Sequence, residues 1–260
     1  MTAPASFALK LVLTPLLVAA ASLAGRRWGS AIGGWLVGIP FTSGPIAFFL
    51  ALDHGPRFAA TAAEGIMAGT ASQAAFCLAY AWTALRTGWG ASLVAATLAF
   101  AAATVLLDAI TLPVIPTFAL MAAVLVIALA FMPRGARGPI ERIDFPRWDL
   151  PARMVVATTF VIVLTGVAPF LGARLAGLLS PFPLYATVLA VFAQRVEGSA
   201  PAIGVLRGLL LGLFAFAAFF CSLALLLAGQ GIGLAFAAAA AVALAVQGAS
   251  LYTGRRLQLA

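Results

Sequence analysis

Two charged side chains stand inside long apolar stretches of the sequence, where a charge costs free energy and commonly serves a function. Glu64 lies near the start of one stretch, and Arg207 lies near the start of a later one. A carboxyl group in such a place could carry a proton, and a guanidinium group could bind an anion. Alternatively, either side chain extends to the membrane surface or forms a purely structural pair.

Two other segments combine apolar character with residues that break helices. Residues 33–52 contain Gly-Ile-Pro-Phe-Thr-Ser-Gly-Pro, and residues 176–192 contain Ser-Pro-Phe-Pro-Leu-Tyr. Proline removes a backbone donor and clashes with an earlier carbonyl, so each segment predicts a discontinuous helix whose freed backbone groups line a binding site. A simple proline kink is the alternative. Glu64 is the candidate for proton coupling, and the candidate substrate-binding residues are Pro40, Thr42, Ser43, Ser180, Pro183, Tyr185 and Arg207.

The composition determines the class of protein. Of the 260 residues, 64% are hydrophobic and 8% are charged, and the mean hydropathy is +1.12. A soluble domain would carry about 25% charged residues, so the chain is an integral membrane protein. The net charge of +8 does not indicate nucleic acid, because the basic residues lie between apolar runs and no nucleic-acid motif accompanies them. The expected partners are membrane lipid and a small-molecule solute.

Nine apolar stretches have about the length that a helix needs to cross a bilayer, roughly 17 to 25 residues. Eleven arginines fall on one set of connections between them, and three basic residues fall on the other set. By the positive-inside rule the N-terminus is outside and the C-terminus is cytoplasmic. The richness in Ala and Arg favours a bacterial protein, hence the inner membrane. The predicted spans are 6–24, 29–52, 58–84, 90–110, 116–132, 152–171, 173–194, 202–227 and 231–252.

An internal repeat relates the two halves of the chain. When the sequence is aligned with itself so that Pro40 falls on Pro183, seven pairs of glycines coincide without a gap. We call this alignment the repeat register. Because the fifth span lies between the repeats, the second repeat is predicted to be inverted, a plan of secondary transporters.

The expected fold is an all-α polytopic membrane protein. It consists of two inverted four-helix repeats joined by a central helix, and its spans two and seven are broken. The predicted divisions are a first repeat at residues 1–115, a linking helix and cytoplasmic loop at 116–151, and a second repeat at 152–260.

The second repeat also carries a resemblance to a known family. Within residues 176–192 stands Pro181-Phe182-Pro183 in an apolar frame, and Glu197-Gly198 follows. In these residues the repeat resembles the GlpM-type small bacterial membrane proteins, here duplicated and fused. The resemblance covers about one repeat, and the first repeat departs from it with Gly38 in place of the first proline. It implies no established chemistry and adds no functional residue.

These observations favour a secondary transporter that works by alternating access. The expected solute is small and anionic or zwitterionic, since half-helix N-termini carry partial positive charge, and proton coupling is a further hypothesis. A non-transporting membrane subunit or assembly factor is the alternative, and a homo-oligomer is left open. No enzyme is expected, because no nucleophile and base come together. Cys77 and Cys221 lack the spacing of a metal site, so no metal or cofactor is expected.

Overall fold

A computed structural model gives the fold of the chain. It describes residues 11–12, 15–16, 19–20, 22–24, 26–38, 40, 43–44, 47–48, 51, 55–110, 112–133, 148, 150–152, 154–156, 158–159 and 181–256. All regular structure within these residues is helical, as the composition predicts.

Eight helices are numbered α1 to α8 in chain order. They are α1 Ser30–Val37, α2 Pro56–Ala68, α3 Thr70–Ala84, α4 Trp89–Asp108, α5 Val114–Phe131, α6 Leu184–Glu197, α7 Ser199–Leu226 and α8 Ile232–Arg256. Four of these helices, α4, α5, α7 and α8, are long and apolar enough to cross a membrane. The prediction of a membrane protein with several spanning helices is therefore confirmed in this coarse form.

The predicted spans agree with the observed helices in the parts that the structure describes. Span three corresponds to α2 and α3, which are separated only at Gly69, a residue with helical dihedral angles. The short span five, predicted at 116–132, is the 18-residue helix α5, and ~1.5 Å per residue makes it about 27 Å long. In the predicted spans 6–24 and 152–171, the residues described are helical. The full count of nine spans stays a prediction.

The helix boundaries follow the repeat register. Helix α2 begins at Pro56 and α7 at the aligned Ser199, and the glycines before them have φ angles of 89° and 95°. These positive φ angles strain any residue with a side chain, so the glycines in register both allow the same turn. Helices α4 and α8 begin at Trp89 and Ile232, which the same register aligns. Two pairs of helices thus begin at positions that the register aligns.

Helix α7 is the central element of the fold. It is buried over most of its length and contacts α1, α2, α3, α5, α6 and α8. Helices α4, α5 and α8 instead leave many large apolar side chains exposed, including Leu98, Val105 and Leu244. An exposed apolar surface of this kind is expected where helices face lipid.

Glycines let α1 and α7 cross with their backbones in contact. A methyl group added at Gly34 would overlap the carbonyl group of Val205, and one added at Gly208 would overlap that of Ala31. At Gly38 it would lie 2.5 Å from the Cα atom of Gly212. Small residues spaced by four permit this approach between membrane helices. The contacts advance along both helices in the same direction, so α1 and α7 run parallel.

One end of the helix bundle is rich in arginine and aromatic residues. Hydrogen bonds join helix ends there: the Trp82 indole donates to the carbonyl oxygen of Phe131 (3.1 Å), and the Gln194 amide donates to that of Thr87 (3.0 Å). These contacts gather connections that the sequence assigns to one side of the membrane. We call this the basic end; its exposed side chains include Arg26, Arg27, Trp28, Trp82, Arg86, Trp89, Arg195, Tyr252 and Arg256.

Candidate functional site

The predicted break in span two lies at Gly38 to Pro40. Helix α1 ends at Val37, Gly38 forms a turn, and Pro40 is outside any helix. Helical hydrogen bonding resumes at once, because the amide of Gly44 donates to the carbonyl oxygen of Pro40 at 2.9 Å. Proline suits this place, since the first residues of a helix have no internal acceptor for their N–H groups.

A side chain from the last helix satisfies backbone near this break. The carbonyl oxygen of Trp35 accepts hydrogen bonds from the Gly38 amide (3.2 Å) and from the Gln247 side-chain amide (2.9 Å). The Trp35 indole in turn donates to the Ser250 hydroxyl at 3.2 Å. Backbone exposed at membrane depth requires partners supplied by the protein. Helix α8 supplies them here.

The second break segment has the same local design. Helix α6 begins at Leu184, with Pro183 as its N-cap residue. The Pro183 carbonyl oxygen accepts from the amide (2.8 Å) and the hydroxyl (2.7 Å) of Thr187. In the repeat register, Pro183 and Thr187 align with Pro40 and Gly44. In both segments, helical hydrogen bonding therefore starts from the proline that the register aligns.

Each break segment lies beside a phenylalanine of the opposite repeat. A methyl group at Gly44 would lie 3.5 Å from the ring of Phe219 on α7. The ring of Phe182 packs edge-on against Phe76 on α3, with centroids 5.6 Å apart. Phe76 and Phe219 align with each other in the repeat register, whereas their partners Phe182 and Gly44 do not. Helix α1 also contacts α6 directly.

The predicted solute-binding residues are only partly gathered by the fold. Pro40, Ser43 and Pro183 are buried. Tyr185 is half-buried and packs with Val188 and Phe192 in a small cluster separate from the main core. The predictions for Thr42 and Ser180 lie outside the described residues.

Arg207 lies at the end of α5 rather than beside a break segment. Its Nη2 atom donates hydrogen bonds to the carbonyl oxygens of Met132 (3.2 Å) and Pro133 (2.9 Å). The last carbonyl groups of a helix carry partial negative charge, which a guanidinium group complements. The purely structural interpretation of Arg207 explains both contacts.

Glu64 is half-buried on α2, a helix that packs against α5 and α7. Among the described residues it forms no hydrogen bond and no ion pair. A methyl group added at the neighbouring Gly65 would meet no atom within 4 Å. The surface of α2 at Gly65 is therefore open, in contrast to the closed crossing around Gly208, its equivalent in the second repeat.

Two features of the interior were not predicted from the sequence. The first is the crossing of α1 and α7, although Gly204, Gly208 and Gly212 show the four-residue spacing that could have revealed it. The second is a set of buried polar atoms on α3. Thr70 Oγ1, Gln73 Oε1 and the Tyr80 hydroxyl have no hydrogen-bond partner in the described part of the protein.

Cys77 and Cys221 are free and buried. The described residues contain no group of three or more His, Cys, Asp or Glu side chains that could hold a metal ion.

Scans against protein-family models, curated proteins and solved structures each found no match for this chain. The resemblance of the second repeat to the GlpM-type proteins therefore stays a prediction. The function has to be inferred from the geometry of the breaks and of the polar side chains.

Proposed function

We propose that the protein is a secondary transporter that moves a small solute across a bacterial inner membrane by alternating access. The observation that supports this most is that each break segment lies beside one of the aligned residues Phe76 and Phe219 of the other repeat. Interrupted helices at equivalent positions of two halves commonly form the substrate site of transporters. The proposal includes nine spans and two inverted repeats, with the N-terminus outside and the C-terminus cytoplasmic.

The solute would bind between the two broken regions, near Pro40, Ser43 and Pro183. Helix α6 would present its N-terminus there, and a helix N-terminus attracts negative charge. An anionic or zwitterionic solute is therefore proposed. Arg207 would contribute only after releasing the carbonyl oxygens of Met132 and Pro133.

Proton coupling is proposed for Glu64. A carboxyl group within the membrane that no described residue pairs can gain or lose a proton as the helix around it changes its surroundings. Helix α2, which carries Glu64, packs against α7 of the other repeat and against the central helix α5. Motion of one repeat relative to the other would therefore change the environment of this carboxyl group.

The test is solute flux in proteoliposomes under an imposed pH gradient. The purified protein is first screened for thermal stabilisation by a panel of small organic acids, amino acids and polyols, and compounds that stabilise it are used as radiolabelled solutes. We expect uptake that depends on the gradient, and we expect Glu64→Gln to lose that dependence. Flux with an unchanged pH profile in Glu64→Gln would remove the coupling role.

A non-transporting membrane subunit or assembly factor is the second candidate. The close backbone contact of α1 with α7 favours it, since such a crossing suits a rigid scaffold. This candidate predicts no flux of any stabilising compound. It further predicts that the protein co-purifies with a fixed partner or with copies of itself.

A further inference from the structure

Helix α3 carries a row of buried polar side chains that the proposed site does not use. Thr70 and Tyr80 have an exposed fraction of 0%, and Gln73 has 5%. Thr70 Oγ1, Gln73 Oε1 and the Tyr80 hydroxyl have no hydrogen-bond partner among the described residues. A buried polar atom left unpaired costs about 1–3 kcal/mol, and lipid offers nothing to pair with it.

The three side chains share one face of the helix. At ~100° per residue, positions 70, 73, 77 and 80 fall within an arc of about 80°. The row is about 15 Å long at ~1.5 Å per residue, and it runs from near the middle of the α2–α3 pair toward the basic end. We call Thr70, Gln73 and Tyr80 the polar row; Cys77 lies within it and is also fully buried.

The scaffold itself does not require this polarity. In the repeat register, the polar row aligns with Leu213, Phe216 and Leu223 on α7, and Phe220 takes the place of Cys77. All four are buried apolar side chains. The same helix position can thus be filled by apolar groups, so the polar row is an addition in the first repeat.

The polar row lies next to a break segment. Phe76 stacks against Tyr80 with ring centroids 6.1 Å apart, and the same Phe76 ring contacts Phe182 of the second break segment. A group that enters between the broken regions would meet the polar row one aromatic ring away.

We propose that the polar row binds uncharged hydrogen-bonding groups, namely the hydroxyl or amide part of a solute, with water taking the same positions when no solute is bound. The Gln73 carbonyl oxygen needs a donor, whereas the Tyr80 and Thr70 hydroxyls can donate or accept. Hydroxyl, amide and water each offer both functions. The proposal rests on the proposed function for the solute, and it adds that part of the solute is uncharged and polar.

Cys77 is a native reporter for this row. A thiol reacts with a thiosulfonate reagent as the thiolate, which forms in contact with water and hardly at all in an apolar interior. In the Cys221→Ser protein, Cys77 is the only thiol. We expect a small, water-soluble methanethiosulfonate to modify it in proteoliposomes, measured by mass spectrometry of the intact protein.

Substitution of the row should close this access. We expect at least tenfold slower modification of Cys77 when Thr70→Val, Gln73→Leu and Tyr80→Phe are combined. If the triple variant does not fold, Tyr80→Phe alone is used, because it removes one hydroxyl and keeps the ring. It should also slow the modification of Cys77. The matched control is the Cys77→Ser protein, in which the same substitutions should leave the modification of Cys221 unchanged.

Ligand protection distinguishes solute from water. We expect glycerol or acetamide at millimolar concentration to slow the modification of Cys77 at least threefold. Modification without protection by either compound would mean that only water enters and would overturn the solute part. A Cys77 that never reacts would overturn the whole inference, even with flux intact. If glycerol or acetamide protects Cys77 in a protein that shows no flux, the binding role of the polar row is supported and the transporter proposal fails.

Discussion

The side-chain amide of Gln247 donates a 2.9 Å hydrogen bond to the carbonyl oxygen of Trp35, in the last turn before the first helix break. The same carbonyl oxygen would lie 2.6 Å from a methyl group at Gly212. The break is therefore enclosed by α7 on one side and held by α8 on the other. Helix α8 thus gives the Trp35 carbonyl oxygen a hydrogen-bond donor, which membrane lipid could not supply.

Gln247→Leu should destabilise the protein by about 1 kcal/mol, because the Trp35 carbonyl oxygen loses the shorter of its two hydrogen bonds and keeps only the Gly38 amide as a donor. Denaturant unfolding in mixed micelles measures the change. Ser250→Ala, which removes the weaker contact to the indole of Trp35, should cost less than half as much. Equal losses in both variants would show that the Gln247 hydrogen bond has no special part in the break.

Gly208→Ala should destabilise the protein by about 1–3 kcal/mol, since overpacking at a backbone contact forces helices apart. Its matched control is Gly65→Ala, the equivalent position in the first repeat, where the methyl group meets no atom within 4 Å. Replacing a helical glycine in open space should gain about 0.5–1 kcal/mol. The two variants should therefore shift the thermal midpoint in opposite directions. A similar shift in both would contradict the observed crossing of α1 and α7.

Arg207→Met should cost about 1.5–3 kcal/mol, because two carbonyl groups at the end of α5 lose a charged donor. The control is Arg195→Met, an exposed arginine in the last turn of α6, where a surface change should stay within about 0.5 kcal/mol. Denaturant unfolding in micelles compares the two variants. If Arg207→Met leaves stability unchanged and abolishes uptake of an anionic solute, Arg207 is a binding residue after all.

Topology reporters should place the helix ends joined at the basic end on one side of the membrane. Fusions after residue 87 and after residue 256 should report the cytoplasm, and a fusion after residue 110 should report the outside. The physical reason is the electrostatic cost of moving arginine-rich connections across the membrane. Reporters at 87 and 256 on opposite sides would contradict the fold. Both reporters outside would contradict only the predicted orientation.

The sequence predicted those features that depend on local chemistry. Proline at position 40 cannot continue a helix, and α1 does end just before it. The glycine pairs in register predicted equivalent structure, and Gly55 and Gly198 adopt nearly the same positive φ angle. The short fifth span, at the lower limit of length, forms a continuous helix.

The sequence alone did not identify which side chains meet in the interior. Arg207 looked like an anion ligand because only its depth in an apolar run was visible, and the fold gives it the end of α5 as a partner. No sequence motif marks Thr70, Gln73 and Tyr80, and only the fold shows that each has a buried polar atom without a hydrogen-bond partner among the described residues.

Membrane class and the end of α1 before Pro40 were thus determined by the sequence itself, because hydropathy and proline geometry act over a few neighbouring residues. The crossing of α1 with α7, the partners of Arg207 and the polar row on α3 were decided only by the tertiary structure. Each depends on contacts between helices far apart in the chain, and in lipid such contacts follow from packing and hydrogen bonding rather than from local hydropathy.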